Sequence, residues 1–415
     1  MKNLFLCLFA VVALGVAGTS GLAQPGEPGR IAFINAEGQL ATVDPDGQNP
    51  RTLTSRSQRL QFPAWSPDSA QLAVIGIDAE GGFIRVLADE EGSESEELYR
   101  SASQAPFYLY WSPDSKMVSF LANHPTGIGL HIASSTQPDQ LLTTGSPFYW
   151  QWAPNAQQLF IHSGFSGEGS RLGFTSRVAD TLEANLAPPG RFQAPGISPS
   201  GRYLAYAAAG SRGTQVVIQN NPITNPAPAK REVTHAGMVS LSWSPTRDEL
   251  AFMSPVEASQ FTFGPIQLLE AETGLLETLT DNTALAFFWS PDGKYIAYLS
   301  PLQRSGGDLT QIPQGVPQDV QQVSWQPTLF DLHLIDVAAR TERLITTFAP
   351  SPQFMRQFLP YFDQYALSHS VWSPQSDALV FPVIDLEEPA LRISVIGLDG
   401  ETAYVGVGDM PFWSR

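Results

Sequence analysis

The sequence predicts an all-β fold, an eight-bladed β-propeller of four-stranded antiparallel blades. Three observations predict it. A Trp-Ser-Pro turn signature returns at a near-constant interval, each copy sits between two short apolar runs, and the two ends of the chain carry complementary halves of one copy.

The interval comes first. Aligned on the tryptophan, the copies fall at Trp65, Trp111, Trp152, Trp243, Trp289, Trp372 and Trp413, with Ile197 in the same role in "GISPSGRYLAY". The spacings are 46, 41, 45, 46, 46, 83 and 41 residues, and a repeat of about 40–45 residues is the period of a four-stranded propeller blade. The long spacing is read as an insertion within one blade.

The unit itself follows from turn chemistry. An inner strand ends at the tryptophan and Ser-Pro-Asp-Gly or a variant turns the chain, because proline presets φ for a type I turn while Ser and Asp bond back to the backbone. A second strand follows as "LAVI", "VSFL", "LAFM" or "IAYL". Such runs, apolar without alternation, suit strands covered on both faces by neighbouring blades. Two further strands complete each unit, and the tryptophan is read as packing between blades. "RIAFI" at 30–34 lacks a turn signature before it, and "MPFWSR" at 410–415 lacks a second strand after it. Paired, they close the ring and remove a free sheet edge.

Domain organisation is simple on this reading. Residues 1–23 form a signal peptide: Lys2 precedes an uncharged apolar run, and Gly21-Leu22-Ala23 supplies the small residues of a cleavage site after Ala23. A short linker spans 24–29, and one propeller domain spans 30–415. Cys7 is the single cysteine and lies in the leader, so the mature chain holds no disulfide. Formal net charge is −17, or −18 once Lys2 is removed, and such a surface repels phosphate backbones, which argues against nucleic-acid partners. No other apolar run reaches membrane-spanning length. The expected product is periplasmic or secreted, and a monomer.

The repeated "WSPDG-x-x-[LI]-A" unit resembles the TolB-like propeller repeat, also found in the propellers of prolyl-oligopeptidase-type peptidases. The resemblance covers roughly residues 30–415 and implies the propeller fold. Two features depart from it. TolB carries a separate domain before a six-bladed propeller, whereas here the propeller is expected to begin almost at the cleavage site. The Gly-x-Ser-x-Gly elbow of the peptidases has only "GFSGE" as a counterpart, with Glu168 in place of glycine.

A site is expected on the propeller face that carries the connections between second and third strands and between successive blades. Two long segments map there: an insertion at about 302–328, and the connector "FAPSPQFMRQFLPYFDQYALSHS" at 348–370. Ser351-Pro352 is a helix start, apolar residues recur at helical spacing, and Pro360 stops the turn. The connector is therefore either a plug that fills the bore or a recognition surface for a partner. Candidate binding residues are Phe358, Tyr361, Phe362, Asp363, Tyr365 and His369, with Phe62, Tyr108 and Tyr149 from the blades. His124, His162, His235 and His369 map to the same face, but none has the spacing of metal ligands. The function expected is a non-catalytic module that binds a protein or cell-envelope component, without cofactor or metal. The alternative is a lyase-like propeller enzyme with a histidine-held metal, acting on anionic polysaccharide.

Overall fold

The computed structural model describes residues 29–302 and 328–415, apart from residues 57, 166–168, 178–185, 211–212, 226–228, 258–260 and 389. The leader, the insertion at 303–327 and the serine of "GFSGE" lie outside the described residues. Within them the chain forms seven antiparallel sheets: five of four strands, one of three and one of six. The fold is an all-β propeller with seven blades, not the eight that the tryptophan registers suggested.

The correction has a local cause. The stretch before Trp372 should have been an inner strand, but the connector occupies it with helical turns that run to His369, whose N–H bonds to Tyr365 O at 2.8 Å. Only the isolated bridges Ser370↔Trp413 and Trp372↔Leu379 remain there. The twelve-residue strand Thr402–Trp413 then serves two neighbours at once. Its first half pairs with Ala390–Gly397 and its second half with Ile31–Asn35. The two expected blades are thus one six-stranded sheet, in which Ile31 faces Trp413 and Ala32 faces Phe412.

The turn chemistry is as the residue types require. Ser66 Oγ donates to Asp68 Oδ1 at 2.6 Å and accepts from Gln71 N at 3.0 Å. Ser112 with Asp114 and Ser290 with Asp292 repeat the pattern. The fourth turn position is left-handed in six of the seven turns, at Ser69, Ser115, Ala156, Gly201, Gly293 and Ser376, and Arg247 is the exception. At Gly293 a Cβ would lie 2.2 Å from Thr246 Oγ1, so glycine there serves close packing as well as φ.

Second strands are buried on both faces, as in Leu72, Ala73, Val74 and Ile75, whereas the outermost strand Thr341–Phe348 is largely exposed. Four of the tryptophans bind their blade to the one before. Trp111 Nε1 donates to Ala64 O at 3.0 Å, Trp65 Nε1 to Phe412 O at 3.3 Å, Trp289 Nε1 to Ser242 O at 3.2 Å and Trp372 Nε1 to Phe288 O at 3.0 Å. In each case the acceptor precedes the tryptophan of the neighbouring repeat. Trp111 is 4% exposed, so Trp111→Ala is expected to cost about 3–5 kcal/mol, combining a cavity with an orphaned carbonyl. Chemical denaturation with an unchanged slope checks it, and a loss under about 1 kcal/mol would remove the tryptophan from the inter-blade role.

Candidate functional site

The connector is a stopper. Ser351 Oγ accepts from Phe354 N at 3.0 Å and starts a π-helical turn, Phe354–Phe358, followed by a 3₁₀ turn, Leu359–Tyr361, and an α-helical turn, Phe362–Tyr365. Pro360 does not end the winding. It sits in the first turn of the 3₁₀ segment, where a missing N–H costs nothing.

The structure brings the expected residues together, but inside the ring. Phe358, Phe362, Asp363, Tyr365 and His369 are buried, as are Phe62, Tyr108 and Tyr149, while Tyr361 keeps 44% of its surface. Ring centroids of Tyr365 lie 5.0 Å from Phe62, 4.9 Å from Tyr108 and 5.1 Å from Phe358. Phe362 packs 5.3 Å from Phe287. The plug reading therefore describes this segment in the structure, and of the nine residues only Tyr361 offers a large exposed side chain.

Polar clamps that the sequence did not single out fix the stopper in register. Gln364 imitates a strand partner: its Oε1 accepts from Trp150 N and its Nε2 donates to Trp150 O, both at 2.9 Å. Tyr108 OH donates to Gln364 O at 2.9 Å, and Gln193 Nε2 donates to Pro360 O at 2.8 Å. Glutamines have no sequence pattern that marks such a role, because the partner backbone lies about 200 residues away.

Burial sets the ionisation of the stopper. Asp363 accepts from Gln364 N at 2.9 Å and Ala194 N at 3.3 Å, yet desolvation outweighs those bonds and pushes its carboxyl up to about 7. Desolvation drives His369 down to about 3 and His162 down to about 4, so both are neutral imidazoles at pH 7. His162 stacks on Phe192 at 3.9 Å. His124 bonds Thr126 and His235 bonds Ala236 O, away from one another. Among the described residues no group of three His, Cys, Asp or Glu side chains converges as a metal would need.

One arrangement has the order of a serine nucleophile relay. Ser300 Oγ lies 3.2 Å from His333 Nε2, and His333 Nδ1 lies 3.3 Å from Glu342 Oε1. Ser300 is 1% exposed, however, and Glu342 also accepts from Tyr298 OH and from Asn282 Nδ2 of the neighbouring blade. No substrate carbonyl can reach that hydroxyl, and the cluster joins two blades.

A concave feature among the described residues lies on the opposite face, among the Ser-Pro-Asp turns. A recess of about 540 Å³ is rimmed by Pro199, Pro245 and Pro291, walled by Trp243, Trp289 and Phe288, and bottomed by Asp363, Ala366 and Leu367 of the stopper. Its volume is that of a small-ligand site. Trp243 and Trp289 are only partly buried, unlike the fully packed Trp65, Trp111 and Trp372.

No family model matches the chain. It is 29% identical over 92 residues to "Tol-Pal system protein TolB" of Methylococcus capsulatus, covering 20% of each chain. It is 24% identical over 194 residues to "Dipeptidyl-peptidase 5" of Porphyromonas endodontalis, which spans 45% of this chain and 27% of that one. The match thus reaches about a fifth to a quarter of these relatives' lengths. Among solved structures, one titled "Crystal structure of the eukaryotic initiation factor" superposes with a TM-score of 0.54 at 12% identity, over 93% of this chain and 98% of the other. The fold is a β-propeller, and part of its repeat region is similar in sequence to TolB.

Proposed function

We propose that this chain is an exported, non-catalytic propeller that binds a protein component of the cell envelope through the recess on its turn face. The observation that carries the reading is the stopper. With the bore closed by buried aromatics and clamped by Gln364 and Gln193, the ring is a rigid scaffold, and binding is left to a concavity walled by two half-buried tryptophans. Aromatic anchors in a desolvated concavity are the usual centre of a protein interface. The similarity to a Tol-Pal system protein supports an envelope setting, and the leader read in residues 1–23 supports export. Among the described residues no helix is long and apolar enough to cross a membrane.

A photo-crosslinking residue at rim position Pro245, expressed in the native cell, tests this. A discrete adduct with one envelope protein is expected, weakened by Trp243→Phe, which removes an indole whose N–H makes no inter-blade bond. Absence of any adduct, with turnover of an anionic polysaccharide by the purified protein, overturns the binding reading.

A further inference from the structure

Trp243 departs from four of its counterparts. Its indole Nε1, like that of Trp413, is buried without a hydrogen-bond partner, whereas Trp65, Trp111, Trp289 and Trp372 each donate to a carbonyl of the preceding repeat. The preceding repeat is the one with Ile197 instead of tryptophan. Gly196 lies so close that a Cβ there would come within 2.7 Å of Trp243 Cδ1. On the floor of the same recess lies Asp363, 2% exposed, with no ion-pair partner among the described residues. Its carboxyl is steadied by the backbone amides of Ala194, Leu241, Asp363 and Gln364, and burial still outweighs them because no cation stands beside it.

We propose that the recess seats an organic ammonium group, held by the Asp363 carboxylate between the π faces of Trp243 and Trp289. This rests on the recess being the recognition site, and names the chemistry it recognises. A carboxylate supplies the counter-charge, and indole faces attract a desolvated cation. The strongly acidic chain, at −17, raises the local concentration of cations. Among the described residues no group of three His, Cys, Asp or Glu side chains converges there, which leaves a metal ion too few ligands. The groups around Asp363 allow the fit: Tyr108 and Tyr149 face it as phenols kept neutral by burial. Arg415, the guanidinium lining the recess, is exposed and turned onto Leu367 O at 2.6 Å. Its presence favours a single ammonium over a polyamine.

The probe is n-butylammonium, with 1-butanol as the neutral isostere, read by tryptophan fluorescence and titration calorimetry on the whole protein. Saturable binding of the ammonium and none of the alcohol is expected. Affinity should rise about tenfold from pH 6 to pH 8, following ionisation of a carboxyl that titrates near 7. Asp363→Asn should lose both the affinity and its pH dependence, and Trp243→Phe should weaken binding with the fold intact. A pentapeptide with one central lysine, and its Nε-acetylated form, separate the sources. Tighter binding of the lysine peptide than of butylammonium assigns the group to a protein partner, and the reverse assigns it to a free amine. Equal response to ammonium and alcohol, or unchanged affinity in Asp363→Asn, overturns the proposal. A partner crosslinked at Pro245 without ammonium binding overturns this inference alone, and ammonium binding without a crosslinked partner overturns only the reading on which it rests.

Discussion

Ending the chain at Met410 is expected to destroy the native ring, although only five residues are lost. Phe412 and Trp413 are each 3% exposed. They supply the strand partners of Ala32 and Ile31, and Ser414 N closes the same ladder on Arg30 O at 2.8 Å. Phe412 also carries the carbonyl that Trp65 Nε1 binds, and its ring packs 5.6 Å from Phe358 and 4.6 Å from His369. Removing one large buried aromatic costs about 3–5 kcal/mol, and two adjacent ones approach the whole 5–15 kcal/mol that holds a typical domain folded. Terminal residues are dispensable only when they are not tied into a sheet. The truncated chain should therefore aggregate through the unpaired edge of Ile31–Asn35. Size-exclusion chromatography with a thermal melt checks this. A monomer that melts within a degree or two of the parent would show that the closure carries no stability.

Much of this architecture was legible because each blade repeats a chemical unit. The Ser-Pro-Asp turn, the tryptophan before it and the apolar second strand follow from backbone and burial rules that act within about 20 residues. The blade count was not legible in the same way. Trp372 keeps its turn, with Ser373 Oγ on Asp377, and so counts as a register in the sequence. Whether a strand precedes it depends on where the connector ends, and the connector winds on past Pro360 to His369. The same limit applies to the site. Phe354, Met355, Phe358 and Leu359 at helical spacing mark an apolar face, but a plug and a surface need the same face. What decides between them is the bore that receives it. The recess was hidden for a different reason: Pro199, Pro245 and Pro291 are ordinary turn residues one by one, and only the ring gathers them. Asp363 was singled out as a binding residue, but its burial and its shifted ionisation come from the inner strands around it.

That burial makes Asp363 a pH-dependent liability. Its folded value, about 7, lies above the ordinary 3.8, so the folded state favours the protonated carboxyl. Stability from this group is fully present below about pH 4 and is lost as pH rises through 7, because the unfolded chain ionises first. The gap between 3.8 and about 7 corresponds to about 4 kcal/mol. His369 and His162 act with the opposite sign. Their folded values, about 3 and about 4, lie below 6.5, so their contribution is present above 6.5 and is lost as pH falls. The wild-type profile between pH 4 and 7 mixes these terms and does not isolate Asp363. Asp363→Asn does, because the histidines cancel in the difference between variant and parent. The uncharged amide keeps the shape but cannot satisfy both the Ala194 and Gln364 N–H groups, which adds an offset independent of pH. Above that offset, the variant's advantage should grow from nothing near pH 4 to about 4 kcal/mol at pH 8. Urea unfolding at four or five pH values measures it. A difference that stays flat across this range would mean that Asp363 is already ionised in the folded ring at pH 4, with a cation or water beside it.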